Sequence, residues 1–584
     1  HGPVQALGQP VAQVGLVLTQ FHPADPDALE AGLVGQFADA PGQRRQVGAA
    51  RGRGGRGGGR MHAPIIGACV QAPAAGTGLR ARIGGMAHVD PLLYPTASAR
   101  RIDQEATAAL GGDGYVLMCR AGQAAWRSLL RRWPRARRIL VACGGGNNGG
   151  DGYVLARLAL QSGCQVQVVQ ADAAGPRTDL ARRAQADYLQ AGGRVAVFPQ
   201  GVGPAEVVVD AVLGIGLEQA PREPVAGLLQ ALAGLGAPVL ALDVPSGVDA
   251  GRGQVPGVAL RADCTVQFIV EHAGLRTGAA LDQVGELELD RLGVDAAQYA
   301  GSAPPAAALL QAPALARWLR PRRRDTHKGA SGRVLCVGGE LGSGGAIALC
   351  AEAALRCGAG LVAVATRPAH VAPILARRPE AMVRAVESQE ELDLLLQARG
   401  VVACGPGLGQ GEWGRALLAR VLGSGHPLVL DADALNLLAP AQPLPADTIL
   451  TPHPGEAARL LETGIAQVQA DRLGAAAGLA RRHGCVVVLK GAGTVVAGPA
   501  QLPAVLDAGN PGMATGGMGD LLTGAIASLR AQGLDTGDAA RAGALLHSLA
   551  GDAAAAEGGP RGLLPSDLLP WLRRLANTEN PDAD

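Results

Sequence analysis

The sequence predicts two consecutive α/β domains, each built on a mostly parallel sheet that helices cover on both faces. Short β-branched runs alternate with amphipathic stretches along most of the chain, which is the pattern of repeated strand-helix-strand units. A Pro/Ala-rich stretch at 301–314 interrupts this alternation once. At 584 residues the chain also exceeds the size at which one hydrophobic core keeps growing. We therefore predict domains at 86–300 and 323–575, joined by a linker at 301–322.

The first predicted domain is Rossmann-like. Its candidate strands are 138–143, 165–170, 194–198, 206–213, 238–243 and 264–269. Between the first two strands, Val154, Leu155 and Leu158 place apolar side chains on one face of a helix. Repeats of this kind form a parallel sheet with helices on both faces.

The second predicted domain shows the same alternation. Its candidate strands are 333–338, 361–366, 400–404, 427–431, 448–451, 486–490 and 494–497. An Ala-rich amphipathic stretch at 345–358 predicts a helix between the first two strands, and a helical segment near 520–555 closes the domain.

The two ends of the chain differ from these domains. Residues 1–85 begin with His1, lack regular periodicity and contain an Arg/Gly run at 51–60. Such composition is typical of sequence that does not fold, so we expect a disordered leader or a mis-assigned start. RNA binding by the Arg/Gly run is the alternative. Residues 576–584 form a short tail.

Composition favours a soluble protein of the cytoplasm whose partners are small molecules. The formal charge of +2 provides no broad electrostatic footprint for nucleic acid or for an anionic membrane. No stretch approaches the roughly 20 apolar residues needed to cross a bilayer. The ten cysteines include no CxxC pair, which favours a reducing compartment. We further expect a homo-oligomer.

Lysine is rare enough to mark candidate sites. Lys328 and Lys490 are the only lysines, and both lie in glycine-flanked motifs, HKG at 327–329 and KG at 490–491. A compact ammonium and a planar guanidinium are not interchangeable at a tight phosphate contact. Lys328 and Lys490, the two basic positions that are lysine and not arginine, are therefore candidates for binding a phosphate or a substrate.

A glycine-rich loop follows the first predicted strand, from Gly144 to Gly152, and leads into a helix. Glycines allow backbone amides to approach a phosphate, and the helix N-terminus adds about half a positive charge. The spacing differs from the dinucleotide pattern G-x-G-x-x-G. Asn147 and Asn148 also supply side-chain amides that a phosphate loop does not need.

Two further polar loops follow later strands of the first domain. One contains Asp210 and the glycines of 214–217, and the other runs from Asp243 to Gly247. Ligands of open α/β sheets bind outside the carboxyl ends of the strands, so we expect all three loops to converge. Each loop alone is better explained as a helix cap or a turn, but three such loops in this order are much harder to explain in that way.

These loops resemble those of the NAD(P)H-hydrate epimerase family. The matching segments are NNGGDGYVLAR at 147–157, DAVLGIGL at 210–217 and LDVPSGVDA at 242–250, and YPTASARRIDQEA at 94–106 resembles the family's N-terminal helix. The first loop reads GGGNN where the family's usual pattern is GPGNN, so its stiffness is expected to differ.

The resemblance implies a potassium ion held by Asn148, Asp210 and Ser246. It also implies that the hydrated nicotinamide nucleotide is bound by Asn147, Asn148, Gly149, Gly150, Asp151, Gly214, Ile215, Gly216, Leu217, Glu218, Gln219, Ala220 and Asp243. Hard oxygen ligands suit an alkali cation. Asp243 is our candidate general base for the opening and reclosing of a hemiaminal.

The second domain contains a glycine-rich loop from Asn510 to Asp520, followed by a helix. Backbone amides of such a loop hold a transferring phosphoryl group, and an aspartate at the helix start is placed to accept a proton from an attacking hydroxyl. Residues 517–520 resemble the GxGD anion hole of ribokinase-like enzymes, which implies a ribokinase-like α/β fold. The alternative is a capped helix after a flexible turn.

Six further motifs accompany this loop, in an order similar to that of the ADP- or ATP-dependent NAD(P)H-hydrate dehydratase family. They are HKG at 327–329, GSGGA at 342–346, GPGLG at 405–409, DADAL at 431–435, TPHPGE at 451–456 and KGAGT at 490–494. The resemblance implies that Ala346, Gly407, His453 and Asp520 contact the hydrate. It implies that the adenine nucleotide is bound by Lys490, Gly491, Ala492, Gly493, Thr494 and Gly519.

Taken together, the two resemblances cover about residues 90–570 and indicate a bifunctional NAD(P)H-hydrate repair enzyme. Phosphorylation would convert the hydroxyl of hydrated NADH or NADPH into a leaving group, with Asp520 as base and Mg²⁺ neutralising the phosphates of ADP or ATP. The alternative is a ribokinase-like small-molecule hydroxyl kinase fused to a nucleotide-binding module. That alternative leaves Asn147–Asp151 and Asp243–Ser246 without a purpose.

Overall fold

The computed structural model describes residues 90–577, and their strands form two sheets. The strands are β1 Leu92–Tyr94, β2 Arg138–Cys143, β3 Gln165–Gln170, β4 Val195–Val197, β5 Val207–Ala211, β6 Val239–Leu242, β7 Cys264–Phe268, β8 Glu271–His272, β9 Glu286–Asp290, β10 Ala307–Leu310, β11 Arg333–Val337, β12 Leu361–Thr366, β13 Met382–Ala385, β14 Val401–Cys404, β15 Leu428–Leu430, β16 Thr448–Leu450, β17 Val486–Leu489, β18 Val495–Ala497 and β19 Ala504–Leu506.

Helices cover the sheets. They are α1 Thr96–Ala109, α2 Tyr115–Arg132, α3 Asn147–Gln161, α4 Asp179–Gln190, α5 Val225–Ala233, α6 Gly344–Arg356, α7 Pro368–Arg377, α8 Gln389–Leu396, α9 Glu412–Leu422, α10 Asp433–Leu437, α11 Pro454–Leu461, α12 Ile465–Ala470, α13 Arg472–His483, α14 Met518–Ala531, α15 Thr536–Gly558 and α16 Pro565–Leu575. None of the described helices is long and apolar enough to span a bilayer.

The first sheet is entirely parallel, in the order β4-β3-β2-β5-β6-β7-β9. This confirms the predicted Rossmann-like fold, because the order reverses direction between β2 and β5. Successive residues of β2 point to opposite faces of the sheet. Ile139 and Val141 pack in one hydrophobic cluster, and Leu140 and Ala142 pack in another. Each of the six predicted strands is present. The sheet has a seventh strand, β9, which lies at its edge and which the sequence analysis missed.

The second sheet has twelve strands, in the order β13-β12-β11-β14-β15-β16-β17-β18-β19-β10-β1-β8. The strands from β13 to β17 are parallel, whereas β18 is antiparallel to both of its neighbours. Helices α6, α14 and α15 pack together over one face. Helices α9, α11 and α13 supply the core of the other face. The predicted α/β architecture is confirmed.

The predicted linker proves to be part of this second sheet. Residues 307–310 form β10, which pairs with β19 on one side and with β1 on the other. Strand β8 then pairs with β1, so two short strands of the first half extend the sheet of the second half. The linker prediction is therefore wrong at these residues. Ala307, Leu309 and Leu310 are buried in the sheet. The apolar residues of this stretch therefore pack in the core and do not form a spacer.

The predictions for the chain ends concern residues that the structure does not describe. The leader at 1–85 lies wholly outside the described residues, and so does the tail from residue 578 onward. The predicted helical segment near 520–555 is present as two helices, α14 and α15.

Candidate active sites

The first candidate site lies where the strand order of the first sheet reverses, between β2 and β5. Helix α3 begins directly after the loop that follows β2, and two glycines of this region allow very close approach. A Cβ on Gly144 would lie 1.9 Å from the carbonyl oxygen of Val212, and one on Gly149 would lie 1.9 Å from that of Gly144. No other residue type fits these two positions without moving the backbone.

Asp210 is fully buried at the centre of this site and is surrounded by neutral donors. The Ser246 hydroxyl donates to one carboxylate oxygen at 2.5 Å, and the Ser246 amide donates to the other at 2.7 Å. The amide of Val212 donates a third hydrogen bond at 3.2 Å. Burial raises the pKa of Asp210 to about 6, although these hydrogen bonds favour its charged form. No lysine or arginine neutralises this carboxylate among its hydrogen-bond and ion-pair partners in the described chain.

Asn148 completes a set of oxygen atoms around Asp210. Its side-chain amide donates to the carbonyl of Leu213 at 3.0 Å, and the amide of Leu213 donates to the Ser246 hydroxyl at 2.8 Å. The Asn148 Oδ1 atom is buried and has no hydrogen-bond partner in the described chain. An orphaned buried carbonyl beside a buried carboxylate fits the ligand set of a hard alkali cation.

Asp243 lies in the next loop, directly after β6. Its backbone is left-handed, with φ at +64°, which is costly for a residue with a side chain and is often found at functional sites. The Nε2 atom of the buried His272 lies 2.9 Å from Asp243 Oδ1, and the amide of Phe268 donates to the same oxygen at 3.3 Å. His272 Nδ1 is buried without a partner among the described residues. The imidazole thus fixes the orientation of the Asp243 carboxylate.

Two more carboxylates face Asp243. Asp151, in α3, and Asp103, in α1, both interact electrostatically with it. Burial raises the pKa of Asp151 well above its ordinary value, and the negative charges of Asp243 and Asp103 raise it further. Two neighbouring carboxyl groups in different environments provide a candidate proton acceptor and a candidate proton donor.

The predicted loop from Gly214 to Ala220 differs in burial along its length. A Cβ on Gly214 would lie 3.3 Å from that of Asn148, so this glycine belongs to the crevice. Gly216 faces Arg100 of α1, and Glu218 to Ala220 are exposed. The structure therefore brings Asn148, Asp210, Ser246 and Gly214 together, and it leaves 218–220 at the surface.

The second candidate site lies at the carboxyl ends of the parallel strands of the second sheet. Five of the predicted motifs lie in the loops after β11, β14, β15, β16 and β17, which are consecutive neighbours. Gly407 shows how tightly the loops meet: its φ is +58°, and a Cβ there would lie 3.3 Å from that of Ala346. The Asp433 carboxylate accepts a hydrogen bond of 2.8 Å from the amide of Gly409.

An ion pair between Lys490 and Asp431 is the electrostatic centre of this site. Lys490 Nζ donates to Asp431 Oδ1 at 2.6 Å, and the Thr523 hydroxyl donates to the other carboxylate oxygen at 2.9 Å. Burial raises the pKa of Asp431, but the charge of Lys490 together with the hydrogen bonds from Lys490, Thr523 and Thr451 outweighs burial, so the pKa is lowered. The pKa of Lys490 is raised, because Asp431 and Glu456 outweigh the effect of burial.

Asp520 lies in the first turn of α14, close to this ion pair. Burial raises its pKa to about 6, and the charge of Asp431 raises it while that of Lys490 lowers it. A Cβ on Gly519 would lie 3.2 Å from Lys490 Nζ and 3.3 Å from Asp431 Oδ2. The backbone at Gly519 therefore lies directly over the lysine, as expected for a loop that holds phosphate between amides and an ammonium.

His453 has a structural role at the start of α11. It forms the N-cap of α11, with Nδ1 accepting from the amide of Gly455 at 3.0 Å, while Glu456 accepts from the His453 amide at 2.8 Å. Its ring is more than half exposed and lines the cavity of the site. Burial raises the pKa of Glu456 to about 7.

A cavity of about 970 Å³ lies over the Lys490 loop. It is lined by all five residues of KGAGT, by Gly519 and by part of the loop at 508–515. Lys328 does not line it and is exposed, so of the two lysines only Lys490 belongs to this cavity. No cluster of three or more acidic, histidine or cysteine side chains suited to a metal ion occurs at residues 90–577.

Several residues of the two sites were missed in the sequence analysis. His272 follows a predicted strand, which is a signal, but nothing in the sequence pairs it with Asp243. Asp431 and Glu456 lie within recognised motifs but were given no role there. Arg472, in α13, carries no motif at all, yet its buried guanidinium holds the carbonyl of Lys490 at 3.1 Å.

Two family models match the chain, one in each half. The model described as "YjeF-related protein N-terminus" matches residues 114–274, and the model described as "NAD(P)H-hydrate dehydratase" matches residues 334–574. The first match contains Asn148, Asp210, Asp243 and Ser246, and the second contains Asp431, Lys490 and Asp520.

Curated relatives match both halves together. A bifunctional NAD(P)H-hydrate repair enzyme of Escherichia coli (strain K12) is 45% identical over 487 residues, which cover 83% of this chain and 93% of that one. One from Coxiella burnetii is 46% identical over 491 residues, covering 83% and 99%. The solved ADP/ATP-dependent NAD(P)H-hydrate dehydratase of Bacillus subtilis is 29% identical, covering 46% of this chain and 97% of that chain with a TM-score of 0.42.

Proposed function

This chain belongs to the family of bifunctional NAD(P)H-hydrate repair enzymes, and we propose which of its residues perform the two reactions. It acts on hydrated NADH and NADPH. The first half interconverts the R and S hydrates, and the second half dehydrates the S hydrate at the expense of an adenine nucleotide.

In the epimerase site, Asp243 is the general base. It accepts the proton of the hydroxyl group on the hydrated ring. As this proton leaves, the bond between the carbon that carries the hydroxyl and the ring nitrogen breaks, and that carbon becomes a carbonyl. The proton returns when the nitrogen attacks the other face of this carbonyl. His272 positions the carboxylate, with Nε2 at 2.9 Å. Asp151, whose pKa is raised by burial, supplies the proton that the ring nitrogen needs in the open form.

Potassium fits the pocket around the Asp210 carboxylate. Asn148, Asp210 and Ser246 would hold it, and the unpartnered Oδ1 atom of Asn148 is the observation that supports this. When bound, the ion would neutralise Asp210 and stabilise the loops that carry substrate contacts. Proton transfer stays with Asp243.

In the dehydratase site, Asp520 is the general base. It accepts the proton of the substrate hydroxyl while the hydroxyl oxygen attacks the terminal phosphoryl group of the nucleotide. ADP is thereby converted to AMP, or ATP to ADP. Hydroxide is a poor leaving group but phosphate is a good one, so elimination of phosphate with a ring proton restores the dihydronicotinamide. Lys490 and the amides at 517–519 stabilise the charge on the phosphoryl group.

Magnesium would arrive with the nucleotide. Mg²⁺ usually keeps several waters and is bound by one or two carboxylates together with the substrate phosphates. Asp520 and Asp433 lie near enough to each other to interact electrostatically. The ion would neutralise the phosphates. The reducing cytoplasm is the compartment we propose, because all nine cysteines of the described residues are free thiols.

The observation that carries the proposal is the pairing of a potassium-type pocket at Asp210 with a lysine-centred phosphate loop at Lys490 in one chain. The test is to incubate the protein with a mixture of hydrate epimers, Mg²⁺, K⁺ and either ADP or ATP, and to follow dihydronicotinamide absorbance. We expect full recovery with nucleotide and none without it. Consumption of nucleotide with a stable phosphorylated product would instead support the hydroxyl kinase alternative.

A further inference from the structure

The nucleotide cavity of the second half has one wall that comes from the first half. Arg276, Leu281 and Asp282 line it, although the other lining residues lie between 453 and 552. We name residues 276–282 the bridging segment. It follows β8, whose His272 positions Asp243 in the epimerase site.

The bridging segment holds the phosphate-binding loop KGAGT through its backbone. The buried Thr277 hydroxyl donates to the carbonyl of Gly493 at 2.8 Å, and the amide of Gly278 donates to that of Ala492 at 3.0 Å. A Cβ on Gly493 would lie 2.2 Å from the carbonyl oxygen of Arg276. The two backbones are therefore too close for any residue other than glycine at position 493.

A buried arginine fixes the same junction from the other side. Arg472 is almost fully buried and has no carboxylate partner among the described residues. Its guanidinium donates to the Thr277 hydroxyl at 3.0 Å and to the carbonyl of Lys490 at 3.1 Å. Burying a guanidinium without a counter-ion is costly, and four hydrogen bonds to neutral oxygens offset that cost.

Arg276 and Leu281 present different chemistry to the cavity. The guanidinium of Arg276 is held by Glu271 at 2.7 Å and by Asp507 at 3.0 Å, so its charge is already matched. Leu281 is 38% exposed and is the apolar side chain that the bridging segment presents. An apolar side chain is unsuited to phosphates, which we assign to the Lys490 and Gly519 end of the cavity, but suits the face of a base.

We propose that the bridging segment is part of the nucleotide site of the dehydratase, and that Leu281 packs against the adenine base. The affinity of the dehydratase for its nucleotide therefore depends on a residue of the epimerase half. This inference rests on the proposed function of the second site, and it adds a specificity-determining residue outside the sequence region that the dehydratase family model matches.

The test is Leu281→Ala in the full chain, with Leu189→Ala as the matched control. Leu189 is also an exposed leucine of the first half, at 47%, but lies in α4 and does not line the cavity. We expect Leu281→Ala to raise the KM for ADP and its dissociation constant about fivefold, since losing partial burial of a leucine costs on the order of 1 kcal/mol. The KM for the hydrate and the epimerase rate should stay unchanged.

Two readouts separate this inference from the function on which it rests. If the unaltered protein gives no dehydration with ADP or ATP, the proposed function fails, while calorimetric titration of ADP with Mg²⁺ still tests Leu281. If the unaltered protein dehydrates its substrate but Leu281→Ala binds ADP as tightly as Leu189→Ala does, the inference is overturned. A second variant, Thr277→Val, removes the hydroxyl at nearly constant shape and should weaken ADP binding in the same assay.

Discussion

Each half of the molecule buries one aspartate almost completely at its site, and the two are balanced differently. Asp210 receives hydrogen bonds from the Ser246 hydroxyl and from two amides, all of them neutral, and burial raises its pKa to about 6. Asp431 is paired with Lys490 at 2.6 Å, and its pKa is lowered in spite of burial.

The difference shows which site is complete within the chain. A buried carboxylate needs a counter-charge, because moving a charge out of water costs several kcal/mol. The second half supplies that charge with one of only two lysines in the sequence. The first half supplies neutral oxygens and leaves one of them, Asn148 Oδ1, without a partner. The first site is thus suited to take its positive charge from a bound cation.

The largest expected effect comes from removing the internal counter-charge. Lys490→Met leaves Asp431 buried and unpaired, so the free energy of unfolding should fall by about 3–5 kcal/mol. Urea denaturation followed by circular dichroism measures this. The double variant Lys490→Met, Asp431→Asn removes the charge on both sides and should recover much of the loss. Equal midpoints for Lys490→Met and the unaltered protein would contradict the role given to the ion pair.

Next in size is the effect on dehydration of removing Asp520, the proposed base beside that ion pair. Asp520→Asn keeps the helix N-terminus but removes the proton acceptor, so dehydration should fall roughly 10²-fold. Nucleotide binding and epimerase activity should survive. In the unaltered protein, dehydration should rise with pH through about 6, because burial raises the pKa of Asp520 to about 6 and only the ionised form accepts the proton. Near-normal turnover of Asp520→Asn at saturating nucleotide would leave this residue only a structural role.

A smaller loss is expected from the neutral donors of the first site. Ser246→Ala removes the hydroxyl that donates to Asp210, and a hydrogen bond to a charged group contributes about 1.5–3 kcal/mol. Ser128→Ala is the matched control, because its hydroxyl donates to Glu288, which is less buried and also pairs with arginines. The comparison uses the denaturation midpoints of both variants. If Ser128→Ala loses as much stability as Ser246→Ala, burial of the carboxylate is not what sets the cost.

The smallest expected effect is the stabilisation by potassium. Replacing choline chloride with potassium chloride at constant ionic strength should raise the melting temperature, by the equivalent of about 1.4 kcal/mol when K⁺ is about tenfold above its Kd. Asp210→Asn should abolish this shift, whereas Asp431→Asn should keep it. A shift that survives in Asp210→Asn would place the cation elsewhere.

The sequence alone determined thirteen of the nineteen described strands, because β-branched runs and the glycine loops after them are local signals. It also indicated Asn148, Asp210, Ser246, Lys490 and Asp520, since each lies in a motif directly beside a predicted strand or helix. Their order along the chain agrees with the loops that the structure brings to the same sheet edges.

Only the tertiary structure decided how the two halves join. Strands β1, β8 and β10 have two to four residues each, and nothing in such short segments specifies partners that lie about 200 residues away in sequence. The same holds for the contacts of Thr277 with Gly493 and with Arg472, which lie 216 and 195 residues away in sequence. A hydrogen bond between distant segments depends on the packing of the whole chain, so local sequence patterns carry no signal for it.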